Sequence, residues 1–149
     1  MMKRFLIGIC ALLFSCVNVY AQDLLISRSK QEFPEAMANL QNAITKKGYK
    51  ISRVQRIDEG LKKLGYQTDK YRVVFFGKAK EINDLSNRFP NLLPYLPLNI
   101  AIFAENDDTL ATTFNPQMLK SYYPEAELIP VFDRWEKDLH DILEDFRNN

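Results

Sequence analysis

"LNIAIFAENDDTLATTF", residues 98–114, decides the fold. Leu98 to Ala104 is apolar and of strand length, Asn106-Asp107-Asp108 is turn chemistry, and Thr109 to Phe114 returns as the second arm of a hairpin. Two strands joined this tightly are antiparallel, because a parallel neighbour needs a long crossover. The remaining elements must therefore be arranged about an antiparallel sheet.

Upstream, Pro90, Pro94 and Pro97 read as a rigid crossover from a helix into this hairpin, since each would be costly inside either element. The apolar run that follows is too short for a membrane contact and ends at Glu105, which leaves Tyr95 as the contact residue of the stretch. A helix over about Ala79 to Arg88 presents Ile82, Leu85 and Phe89. Tyr71 to Gly77 ("YRVVFFG") is apolar on both faces, the pattern of a central strand. Tyr49 to Ile57 alternates, placing Tyr49, Ile51, Arg53, Gln55 and Ile57 on one side, and Asp58 is placed to cap a short helical turn that Gly65 ends. Phe33, Met37, Leu40 and Ile44 recur at helical spacing, with Pro34 in the first turn and Gly48 as the stop. Asp23 to Ser29 supplies a first strand.

Downstream of the hairpin, Asn115-Pro116 begins a short helix containing Met118, Leu119 and Tyr122. Pro130 to Phe146 forms the last helix, with Phe132, Trp135, Leu139, Leu143 and Phe146 on one face. The order predicts an α+β fold, a two-layer sandwich with a mostly antiparallel sheet of about five strands packed by helices on one face.

The first 21 residues read as a secretory leader: Lys3 and Arg4, an apolar run from Phe5 to Ser15, then small residues at Val19 and Ala21. The run is too short to span a bilayer, and the mature single domain is expected to start at Gln22 and extend to residue 149. Leu13-Phe14-Ser15-Cys16 resembles a lipobox that would anchor the chain through Cys16, although bulky Phe14 fits that motif poorly. The chain is accordingly expected to be exported, to the periplasm or beyond.

Cys10 and Cys16 both precede Gln22, so a chain cut after Ala21 has no disulfide, thiol nucleophile or CxxC site. Loss of Lys3 and Arg4 leaves 18 basic against 19 acidic residues, a balance that gives no general attraction to nucleic acid. His140, the one histidine, lies with Glu136 and Glu144 on the solvent side of the last helix, opposite Trp135 and Leu139. It makes no metal site and is far from any nucleophile elbow, and no glycine-rich loop cradles a phosphate. No catalytic residue, metal or cofactor is expected on these grounds. The residues with recognition chemistry are Arg53, Arg56, Tyr66, Lys70, Tyr71 and Tyr95: guanidinium forks take carboxylates or phosphates and tyrosines make rigid amphipathic walls. Arg53 and Arg56 point to opposite faces, so at most one faces a given pocket.

Four segments, "FPEAMANLQNAITKKGYKI" (33–51), "SRVQRIDEGLKKLGY" (52–66), "YRVVFFGKAKEINDL" (71–85) and "LPLNIAIFAENDDTLATTFNPQML" (96–119), resemble the family known as domain of unknown function 302. The resemblance covers about residues 26–122 and implies an α+β fold and association as a dimer. Where many relatives follow the matching aspartate with histidine, this chain has Glu59 after Asp58. Lys78-Ala79 replaces Asn-Pro after Gly77, and Leu98 stands where others have cysteine. The expectation is a non-catalytic exported domain that binds a small ligand or an envelope protein, with Arg53, Asp58, Glu59, Tyr71 and Tyr95 as contact residues and a homodimer formed through a sheet edge or the loop at Tyr95. The competing expectations are a carboxylate-dependent hydrolase or lyase and a lipoprotein anchored at Cys16.

Overall fold

A computed structural model describes residues 23–148; the segment read as a leader, with Cys10 and Cys16, lies outside the described residues. The sheet contains β1 (Leu24–Ser29), β2 (Lys50–Arg56), β3 (Tyr71–Gly77), β4 (Leu98–Glu105) and β5 (Asp108–Phe114) in the order β1-β5-β4-β3-β2, with every neighbouring pair antiparallel. The helices are α1 (Phe33–Lys46), α2 (Ile57–Lys63), α3 (Ala79–Arg88) and α4 (Ile129–Asn148), with short 3-10 turns at Pro90–Tyr95 and Pro116–Ser121. This is the α+β two-layer sandwich that the pattern predicts.

The hairpin at residues 98–114 forms as read. Asn106 takes a left-handed turn conformation (φ 53°), and β4 and β5 pair from Glu105–Asp108 to Ala101–Thr112. Gly48 (φ 77°) and Gly65 (φ 87°) follow α1 and α2 in the conformation that only glycine adopts without strain.

One face of the sheet presents Leu25, Val74, Phe76, Leu98, Ile100, Ile102 and Ala111 to the helices. Against them α1 sets Phe33, Ala36, Leu40 and Ile44, and α4 sets Phe132, Trp135, Leu139, Ile142, Leu143 and Phe146, all buried. These side chains share one core because each helix carries its apolar residues on a single stripe. Gly77 belongs to this packing too: a Cβ there would lie 2.4 Å from Ile82 Cδ1, so any larger residue would displace the end of the Ile82 side chain that α3 sets against the end of β3.

Two local readings are corrected. The alternation from Tyr49 to Ile57 is broken by a register shift between Ile51 and Arg53. Tyr49 and Ile51 face the core, whereas Arg53 and Gln55 pair with Phe75 and Val73 and face away from it; Ile57 has already entered α2. A bulge adds one residue to a strand and reverses the side on which later residues fall. Asp58 does not cap α2 either. Arg56 holds the cap position without a side-chain bond, and Asp58 turns inward from the first turn.

Candidate functional site

Opposite the helices, the sheet has a second face over which, among the described residues, no helix packs. The registers put its side chains in rows across the strands. Arg53, Phe75 and Asn99 form one row, which Phe114 and Leu24 continue. Gln55, Val73, Ala101, Thr112 and Ile26 form the middle row. Tyr71, Phe103, Leu110 and Arg28 form the third. The middle row is small at Ala101 and Thr112 and is flanked by rings on both sides, so the face carries a trough.

At the Tyr71 side the trough deepens into a cavity of about 430 Å³, walled by Thr68, Asp69, Lys70, Tyr71 and Phe103 and floored by Ala101 and Thr112. Tyr71 and Phe103 meet edge to face, their centroids 6.1 Å apart. The segment before β3 is held in place because Ala104 N–H donates to the Lys70 carbonyl (2.9 Å). The Thr112 hydroxyl is buried and, among the described residues, lacks a hydrogen-bond partner.

The five contact residues read from the sequence do not converge. Tyr71 lines the trough. Arg53 stands on the same face, exposed and with no ion pair or hydrogen bond among the described residues. Asp58, only 4% exposed, is bound by Arg72 from β3 on the helix side, and Arg72 also lies over the Phe33 ring, 5.9 Å from its centroid. Glu59 pairs with Arg56 at the surface (2.8 Å). Tyr95 packs between the rings of Phe114 (5.9 Å) and Tyr123 (6.1 Å) and does not line the cavity. The carboxylates and the free guanidinium are thus on opposite sides of the sheet.

A buried polar group at the start of α3 and the middle of α4 escapes sequence reading. The Tyr49 hydroxyl donates to Asp138 (2.7 Å), Lys78 lies 4.6 Å from the Tyr49 ring centroid, and Glu81 accepts from Arg134 and from Trp135 Nε1 (3.3 Å). Burial, then the hydrogen bond to the Asp138 carboxylate, pushes the Tyr49 phenol well above its ordinary range, so it stays a donor and offers no base. Periodicity alone assigns Tyr49 and Trp135 to the core; nothing in it announces that their polar ends are tied to Asp138 and Glu81. His140 Nε2 sits 3.1 Å from Glu136 on the solvent side of α4, and among the described residues no three potential ligands gather where a metal could be held.

The model of the family described as "Domain of unknown function DUF302" matches residues 26–146, nearly all of the described chain. The chain belongs to the DUF302 family. A crystal structure of an uncharacterised conserved DUF302 protein from Bacillus stearothermophilus superposes with a TM-score of 0.76 at 18% identity, covering 85% of this chain and 100% of that one. At that identity the likeness speaks for the fold. A comparison with curated proteins found no match. The DUF302 match runs through α4, so Asp138 and Trp135, which lie beyond the segments on which the resemblance rests, fall inside the family region together with their partners Tyr49 and Glu81.

Proposed function

We propose that this DUF302 protein is an exported, non-catalytic domain that binds a small amphipathic ligand on its uncovered sheet face. The trough carries this reading: a concave surface of ligand size and mixed polarity, floored by Ala101 and Thr112 and walled by the Tyr71 and Phe103 rings on one part and by Thr68, Asp69 and Lys70 on another. Arg53 adds the polar end. By strand spacing its Cα is roughly 12 Å from Ala101, within reach of an acid group on a ligand whose apolar body lies in the trough. Asp58 and Glu59 are spent on Arg72 and Arg56, which argues against carboxylate-dependent hydrolysis.

Binding is tested by thermal shift with 8-anilinonaphthalene-1-sulfonate and with its uncharged parent amine as probes. A ligand that binds only the native state raises its melting temperature. The sulfonate should stabilise the wild type, Arg53→Ala should reduce its effect to that of the neutral probe, and Ala101→Trp should remove both. No stabilisation of the wild type, or stabilisation that survives Ala101→Trp, overturns the reading. Export is checked by mass spectrometry of the protein from its own host, where the N-terminus should be Gln22.

A further inference from the structure

Strand β5 carries Thr109, Thr112 and Thr113, and two of these hydroxyls are already spent. Thr109 and Thr113 are buried on the helix side, where Thr109 Oγ1 donates to the Gln31 carbonyl (3.0 Å) and Thr113 Oγ1 to the Asn99 carbonyl (2.6 Å). Thr112 falls on the other face by the alternation of the strand. Among the described residues, its hydroxyl is the one buried side-chain polar atom that meets no partner.

The neighbours explain why. Across the strands Thr112 stands beside Ala101 on β4 and Ile26 on β1, and neither side chain offers a donor or an acceptor. The strand does not need threonine there, since valine has the same branched shape and suits a pleated, half-buried surface as well. A buried hydroxyl without a bond costs the folded state, so its presence calls for a partner that the chain itself does not supply. Thr112 also floors, with Ala101, the cavity walled by the Tyr71 and Phe103 rings. The two γ substituents of a threonine change places by a χ1 step of about 120° between staggered positions, and Ala101 is too short to obstruct that step.

We propose that the Thr112 hydroxyl turns into the cavity and hydrogen-bonds a neutral oxygen, a hydroxyl or a carbonyl, in the body of the bound ligand. The inference rests on the trough being a binding site, and it narrows the ligand from an amphipathic acid in general to an oxygenated one. The oxygen is neutral because Ala101 and Ile26 bring no countercharge, and a charge set beside them would lose its hydration without compensation. A threonine hydroxyl both donates and accepts, so it matches either kind of oxygen. By strand spacing the Cα of Thr112 is roughly 16 Å from that of Arg53, which puts the oxygen toward the end of the ligand remote from its acid group.

The test measures how well two acids of equal heavy-atom count, 10-hydroxydecanoate and undecanoate, displace 8-anilinonaphthalene-1-sulfonate from the wild type, Thr112→Val and Thr112→Ser. The hydroxy acid should lose about tenfold in affinity in Thr112→Val, while undecanoate binds that variant and the wild type alike. Thr112→Ser keeps the hydroxyl and should keep the wild-type ratio between the two acids. Without ligand, Thr112→Val should melt above the wild type, so that its weaker hold on the hydroxy acid is not damage to the fold. Failure of the sulfonate to bind the wild type overturns the trough reading and this inference together. The inference alone falls if the sulfonate binds and the hydroxy acid does not displace it, if Thr112→Val weakens both acids equally or neither, or if Thr112→Ser behaves as Thr112→Val. A Thr112→Val that melts below the wild type also overturns it, because the hydroxyl would then have a partner in the free protein.

Discussion

Thr112 carries a hydroxyl that is buried without a partner among the described residues, on a face where its neighbours are Ala101 and Ile26. A hydroxyl in that position loses its hydration and gains nothing in return, so Thr112→Val, of the same shape, should stabilise the protein by about 1 kcal/mol in urea unfolding. Asp58 is the opposite case. It is buried and bound by Arg72, and removing the carboxylate strands a guanidinium that is itself mostly buried. Asp58→Asn should cost roughly 3 kcal/mol, and Arg72→Met in the same chain should recover much of that loss, because the stranded charge is then gone. Recovery in the double variant marks the pair as architecture; a double variant no more stable than Asp58→Asn would contradict this. The sequence shows Asp58 as a polar residue before a helix, where capping is the commonest use. Its actual partner is 14 positions away on the next strand, and no local pattern encodes that distance.

At the scale of elements, α1 and α4 are held together by apolar packing and, at their rim, by charge. Asp141 on α4 accepts from Lys137 (2.7 Å) and from Lys47 just beyond α1 (2.5 Å), and these two bonds, that to Lys137 first, hold its carboxyl down to about 2. A carboxyl depressed in the folded state stabilises fully above its unfolded value of about 4 and loses that contribution as pH falls through the folded value. Asp141→Asn should therefore be less stable than the wild type at pH 7, with the difference shrinking between pH 4 and pH 2; urea unfolding at pH 7, 4, 3 and 2 follows it. A gap that stays constant over that range would deny the linkage. Elements themselves were legible because their signals are local: Phe33 to Ile44 at helical spacing, Gly48 and Gly65 after helices, and the turn at Asn106. The strand from Lys50 was legible as a strand but not in its facing, since a bulge at Ser52 leaves no mark in an alternating pattern and yet decides that Arg53 leaves the helix side.

For the molecule as a whole, the trough is a product of strand order. Its middle row runs from Gln55 through Val73, Ala101 and Thr112 to Ile26. Such a layout was not readable beforehand, because the sequence places β1 and β5 about 80 residues apart while the fold makes them neighbours. The row should therefore respond to substitution by place along it. Ala101→Trp fills the cavity from the middle of the sheet, so it should lose the thermal shift with the sulfonate probe while the circular dichroism spectrum stays that of the wild type. Gln55→Ala, at the β2 end of the row and outside the cavity lining, should keep the shift. Melting curves of the two variants with and without the probe give the comparison. If Gln55→Ala removed the shift as completely as Ala101→Trp, the ligand would have to lie toward β2 rather than over Ala101 and Thr112.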